Sequence, residues 1–205
     1  MKRDEKNALS RRRILDAALK EFSEKGYHAA SLNTICAENE ISKGIIYHYF
    51  ESKDELYLLC ASECFEKLTI CLREVSADTG TIRQRLNAWF DARLRFFAEN
   101  PVYLGIFLSV VMDPPTDLTE ELALIRKPFD ELNISNLISL LRGSRLRKGI
   151  SLKAVAEDFR MYMDYFNARF RGVMSQSGTP EQALREHEER CHRQIEYLLY
   201  GILEK

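Results

Sequence analysis

At 205 residues, 45% of them hydrophobic and 30% charged, the chain can bury a sizeable core and lacks the low hydrophobicity that leaves a sequence disordered. Its formal net charge of -1 excludes a generally basic nucleic-acid binder, so any DNA contact must come from charge gathered locally. No apolar run approaches the ~20 residues that span a bilayer, Met1 to Arg13 has no apolar signal-peptide centre, and five cysteines without framework spacing suit free thiols in a reducing compartment; the chain is expected in the cytoplasm, with no membrane partner.

Apolar spacing is helical nearly throughout, and strands have almost no support. A basic arm comes first: Lys2, Arg3, Lys6, Arg11, Arg12 and Arg13 against Asp4 and Glu5 leave a local excess of four positive charges. Ile14, Leu15, Ala18, Leu19 and Phe22 then share one face of a helix that ends at Gly26. Ser31 caps a short helix carrying Leu32, Ile35 and Cys36, and Ser42 caps another carrying Ile46 and Phe50, with a turn at Asn39 to Ile41 between them. Ser52 and Glu55 have the S-x-x-E spacing of a capping box and open a long helix toward Val75. Further helix starts fall at Thr81, Asn100 with Pro101, Thr119, Ser151, and Thr179 with Pro180 and Gln182. Pro128, inside a helical pattern, is expected to kink or break its helix.

Three short helices with a tight turn between the second and third are the minimum for placing a helix in the major groove, two bracing and one exposed. From Ser42 to His48 the third helix turns Lys43, Gly44, Tyr47 and His48 outward while Ile46 and Phe50 face the brace. Tyrosine and lysine donate to phosphate oxygens, glycine admits a close backbone approach, and Lys53 adds charge in the first turn of the next helix.

The run SLNTICAENEISKGIIYHYFESKDEL, Ser31 through Leu56, resembles the DNA-binding signature of the TetR family of bacterial transcriptional regulators. The likeness includes Phe22, Gly26 and Tyr27 at the end of the first helix, Ser-Lys-Gly at the turn exit, Tyr-x-Tyr-Phe, and Ser-Lys-Asp-Glu-Leu opening helix four. It implies that Asn33, Lys43, Gly44, Ile45, Tyr47, His48 and Lys53 lie at or near DNA, with Ser42 capping the recognition helix. Asparagine can read adenine and isoleucine can pack on a thymine methyl, so A·T pairs are expected under Asn33 and Ile45. Where the family commonly has Ala-Gly at the turn, this chain has Asn39 and Glu40; Asn39 can take a left-handed conformation, and Glu40 adds a negative charge.

The fold class that follows is all-α: an N-terminal helix-turn-helix domain over 1–51, joined by a long helix to a ligand-binding and dimerisation domain over 52–205. Trp89, Phe96, Phe97, Tyr103 and Phe107, then Phe129, Tyr162 and Phe166, are the aromatic candidates for an effector pocket, with Phe170 and several methionines nearby. Arg93 and Arg169 can meet a ligand carboxylate, or solvent and acidic neighbours. The last two long segments, Ser151 to Met174 and Thr179 to Leu203, are expected to pair in a homodimer, the last through a stripe of Leu184, Cys191, Ile195, Leu198, Leu199 and Ile202, unless both close the subunit's own core. Two such subunits suit a palindromic double-stranded operator, and the resemblance implies repression released by an unknown small-molecule effector.

Cys60, Cys64 and Cys71, and His187, Cys191 and His192, have helical spacing and are read as core and chance, with a thiol sensor or a metal site as the alternatives; no metal, cofactor or catalytic residue is expected. A Gly-rich phosphate loop, a G-x-S-x-G elbow and an HExxH helix are all missing from the sequence. The competing functions are a helical protein-interaction module or an enzyme with no DNA role.

Overall fold

The computed structural model describes residues 3–75, 80–174 and 179–203, with side chains over 5–75, 80–169 and 179–203. Among these, the helices are α1 (Arg3–Ala29), α2 (Leu32–Glu38), α3 (Lys43–Tyr49), α4 (Lys53–Arg73), α5 (Ile82–Glu99), α6 (Pro101–Met112), α7 (Thr119–Leu141), α8 (Leu152–Met174) and α9 (Pro180–Ile202). A single 3-10 turn, Thr116–Leu118, precedes α7, and the only extended pairing described is an isolated bridge between Leu146 and Leu203.

Most helix starts are fixed by side chains that accept otherwise orphaned amide protons. The hydroxyls of Ser31, Ser42, Ser52, Thr81, Ser151 and Thr179 accept from Asn33, Ile45, Glu55, Gln84, Ala154 and Gln182. At Thr81 and Thr179 the third-position glutamine returns the bond, completing a capping box. At Ser52 the return is displaced by one residue, because Glu55 accepts from the Glu51 amide instead. Asn100 gives no side-chain cap, and there Pro101 starts α6 by its preset φ. The expected break at Pro128 does not occur: α7 runs unbroken from Thr119 to Leu141, with buried Phe129 and Leu137 anchoring the turns after the proline.

The chain divides into two compact units, one of residues 1–66 and 100–126, the other of 67–99 and 127–205. Both α4 and α7 therefore contribute residues to each unit. In the first unit Phe22 of α1 meets Tyr57 of α4 edge-on at 5.1 Å, and Phe65 of α4 meets Phe107 of α6 at 5.7 Å. Helix α6 is buried along most of its length and lies on α1 so closely that a Cβ on Gly105 would strike the Ser23 backbone carbonyl and hydroxyl.

In the second unit Leu86 and Phe90 of α5, Leu137, Leu140 and Leu141 of α7, Val155 and Phe159 of α8, and Cys191, Ile195 and Leu199 of α9 form one core. This corrects the partner-facing stripe expected on α9: Leu184, Cys191, Ile195 and Leu199 turn inward and close the subunit's own core. The exposed apolar surface lies on other faces, at Met161 and Tyr165 of α8 and at Tyr197 and Tyr200 of α9.

Candidate nucleic-acid interface

Gly26 has φ 67 and ψ 177, which interrupts α1 in a region that only glycine enters readily. The turn that follows directs Tyr27 at the start of α4. Its hydroxyl donates to Asp54 at 2.6 Å, and the Lys53 ammonium lies 4.6 Å from its ring centroid. The bond to Asp54, aided by burial, pushes the tyrosine pKa up to about 12. Buried Glu21 accepts from the Ser31 amide at 3.0 Å and from Lys25, which fixes the entry to α2.

The turn between α2 and α3 differs from expectation in one respect. Asn39 is not left-handed (φ -114, ψ 8); Glu40 is, with φ 53. The Ile41 amide donates to Cys36 O at 3.0 Å, a 6→1 closure that requires a left-handed residue just past the helix end, usually glycine. Asn39 instead uses its side chain, donating to Ile35 O at 3.0 Å. A left-handed non-glycine residue costs roughly 1–2 kcal/mol, so the chain holds a strained residue where the family commonly has glycine.

Helix α3 has two unlike faces. Ile46 (1% exposed) and Phe50 (2%) lock it onto the brace, whereas Ile45 (45%) and Tyr47 (51%) stand in solvent with Lys43 and His48. A Cβ built on Gly44 meets nothing within 4 Å, so neither packing nor backbone conformation inside the protein requires glycine there. Asn33 is exposed on α2 and Lys53 half-buried at the head of α4.

The expected basic arm is no free tail, since α1 is helical from Arg3. The side chains of Lys2, Arg3 and Asp4 lie outside the described residues. Lys6 is exposed, but the arginines are engaged: Arg11 lies 5.2 Å from the Phe50 ring centroid, Arg12 pairs with Asp16 and Glu63, and Arg13 donates to Asn39 O at 2.6 Å. The hydrogen bonds that Arg12 donates, first to Asp16 and then to Glu63, raise its pKa. Tyr49 donates to Asn7 Oδ1 at 3.0 Å, tying α3 to α1. Sequence reasoning passed over Asn7 and Tyr49 as site residues and took Arg13 only as part of the basic arm, because each acts through a partner more than two dozen positions away.

The effector candidates fall in both units. Tyr103 and Phe107 belong to the first, where Tyr103 donates to Glu63 at 2.6 Å. The remaining eight belong to the second: Trp89, Phe96, Phe97 and Phe129 are buried, Tyr162 and Phe166 half-buried and stacked at 5.7 Å, and Arg169 exposed. Phe170 has no described side chain. Arg93 already has its carboxylate: both Glu188 oxygens accept from Nη1, at 3.2 and 3.0 Å, and Asn133 accepts from Nη2 at 2.8 Å.

Cys60, Cys64 and Cys191 are buried, and desolvation raises the pKa of each, to about 12 for Cys191; this disfavours the thiolate that metal binding and oxidation need. Cys71 is half-buried. His187 faces Glu188 and Asn167, while His192 faces Asn87, and among the described residues no group of three side chains is placed to hold a metal ion. No single described helix is long and apolar enough to cross a membrane.

The profile described as bacterial regulatory proteins, tetR family, matches residues 14–60. Over 86 residues the chain is 36% identical to the HTH-type transcriptional activator FasR of Mycolicibacterium smegmatis, 42% of this chain and 39% of that protein. Over 47 residues it is 51% identical to the HTH-type transcriptional regulator UidR of Escherichia coli K12, 23% of this chain and 24% of that one. The matches thus span well under half of these relatives' length. The HTH-type transcriptional repressor KstR of M. smegmatis is 32% identical over 92 residues, 45% of each chain. Among solved structures, the transcriptional regulator FadR of Bacillus subtilis in complex with stearoyl-CoA superposes with a TM-score of 0.62 at 16% identity, covering 87% of this chain and 95% of that one. A Rhodococcus sp. Rha1 regulator gives 0.65 at 20% identity, covering 94% and 97%. Likenesses this remote establish the all-helical fold.

Proposed function

We propose that the chain, whose residues 14–60 match the tetR-family profile, is a DNA-binding transcriptional regulator of that family, acting as a cytoplasmic homodimeric repressor released from a palindromic operator by a small apolar or amphipathic ligand. The observation that carries the DNA contact is the outward face of α3: exposed Ile45 and Tyr47 beside a glycine with open space around its missing side chain. Such a face is useful only to something that approaches closely from outside, and the major groove is what a short exposed helix on a brace fits. Asn33, Lys43, Ile45, Tyr47, His48 and Lys53 form the reading set, with Ser42 capping the helix and Gly44 giving clearance.

The test separates reading from folding. Selection from a random duplex library is expected to enrich a palindrome. Gly44→Ala should leave the unfolding midpoint unchanged or slightly raised while weakening operator binding about tenfold or more, and Tyr47→Ala should weaken it comparably. Exchanging A·T for G·C pairs beneath Asn33 and Ile45 should weaken it too. A Gly44→Ala protein that binds like wild type contradicts this use of α3.

Dimerisation is supported by Met161, Tyr165, Tyr197 and Tyr200, each more than 60% exposed on the last two helices. We expect sedimentation at twice the 23.9 kDa chain mass, and Met161→Glu with Tyr197→Glu should yield monomers that lose tight operator binding. Wild-type sedimentation at the chain mass contradicts the pairing. For the effector, the support is the aromatic richness of the second unit and the stearoyl-CoA complex of the B. subtilis FadR structure. Because α4 contributes residues to both units, a ligand favouring one setting of α4 would shift the population of DNA-competent dimers. Repression is the family's usual sign, although relatives named as activator and as repressor both occur.

A further inference from the structure

We propose that Arg13 is a positioning residue for DNA reading, which sets the pitch of α3 by clamping the strained α2–α3 turn from α1. The inference rests on the DNA-binding reading of α3. Among the described residues three polar contacts hold the turn: Ile41 N to Cys36 O at 3.0 Å, Asn39 Nδ2 to Ile35 O at 3.0 Å, and Arg13 Nη2 to Asn39 O at 2.6 Å. The first two are internal to α2 and its turn, and the third alone comes from another element. It grips the carbonyl that immediately precedes Glu40, the residue at φ 53.

A glycine at position 40 would occupy that conformation without steric cost, and the turn would need no outside clamp. Glutamate favours leaving it, and when it leaves, Ile41 and the Ser42 cap that start α3 move with it. The chemistry of Arg13 suits a clamp, because a guanidinium presents several donors in a rigid plane, stays charged at all relevant pH, and makes a charge-assisted bond to a neutral carbonyl. Its neighbours on α1 are otherwise committed, Arg11 to the Phe50 ring and Arg12 to Asp16 and Glu63. The bland alternative for an exposed arginine at a DNA-binding surface is a direct phosphate contact, and the two roles predict different salt behaviour.

The experiment measures operator affinity by fluorescence polarisation across a salt series for wild type, Arg13→Met, and Arg13→Met combined with Glu40→Gly or with Glu40→Gln. The expected result is a three- to tenfold loss in Arg13→Met with the slope of log affinity against log salt unchanged. Glu40→Gly should restore affinity to within about twofold, and Glu40→Gln, which removes the same charge without freeing the backbone, should not. A slope smaller by about one in Arg13→Met marks a lost phosphate contact and overturns the proposal, as does unchanged affinity or equal rescue by Glu40→Gln. Amide exchange at Ile41 in the free protein gives a reading that needs no DNA: faster exchange in Arg13→Met, slowed again by Glu40→Gly, is expected, and exchange equal to wild type overturns the clamp. If wild type binds no duplex, the function of α3 fails while the exchange result still decides the clamp.

Discussion

Arg93→Ala is expected to destabilise the protein by about 3–5 kcal/mol, because it strands a carboxylate from which water has been removed. Glu188 is 1% exposed and His187 2%, and Arg93 bonds both Glu188 oxygens. The network links four helices: Arg93 and Trp89 of α5 donate to Asn133 of α7, while His187 of α9 contacts Glu188 and, across to α8, Asn167. Arg93 lies about midway between two rings, 5.4 Å from Phe90 and 5.5 Å from Phe129, and its buried Nε has no hydrogen-bond partner. The pair is costly to break rather than a large net source of stability, so Arg93→Met with Glu188→Gln should recover most of the loss. Urea unfolding of the three proteins checks this; a loss below about 1 kcal/mol in Arg93→Ala contradicts it.

The same pair makes stability depend on pH. Burial alone would raise the Glu188 pKa, but the attraction of Arg93 and the contacts with His187 outweigh it and hold the carboxyl below its usual range. A carboxyl depressed in the folded state contributes stability above its unfolded pKa and loses it as pH falls through the folded value. Wild type should therefore weaken on acidification below about pH 4, the ordinary carboxylate range, more steeply than the Arg93→Met, Glu188→Gln protein.

Gly105→Val should be the most damaging small-to-large change in the first unit, costing about 3 kcal/mol or more. Even a methyl group at this position would lie 2.7 Å from the Ser23 carbonyl carbon and closer still to its oxygen. Backbone cannot rotate away as a side chain can, so α6 must lift from α1 and open the packing around Ile106 and Phe107, now 0% and 2% exposed. Ser23→Gly removes the hydroxyl but leaves the carbonyl, and it is expected to rescue little. Denaturant midpoints for Gly105→Ala, Gly105→Val and the double variant measure this, and a Gly105→Ala midpoint equal to wild type contradicts the close approach.

The helix starts and the two faces of α3 were legible because they depend on neighbours within one turn. Ser31, Ser42, Ser151 and Thr179 cap where spacing placed them, and Ile46 and Phe50 bury as the period requires. What depends on distant partners was not legible. Arg93 looked like a cation among aromatics, and its carboxylate lies 95 positions on. The stripe on α9 was identified correctly as one face, but periodicity does not say which face meets the subunit's own core, and the exposed Tyr197 and Tyr200 lie on another. At the turn, residue type favoured Asn39 as the left-handed position, whereas the 6→1 closure to Cys36 assigns that conformation by place, and Glu40 occupies the place. At Pro128 the expected break does not occur, and α7 continues through it.

On the proposed function α3 reads DNA. Its most direct test is fluorescence polarisation of the wild-type chain against duplexes flanking its own coding region, measured from low to physiological salt. Tight binding to one palindromic fragment is expected, falling steeply and linearly on logarithmic axes as salt rises, and lost in the Tyr47→Ala protein. Binding to every fragment with one affinity, or binding that Tyr47→Ala leaves intact, would contradict it.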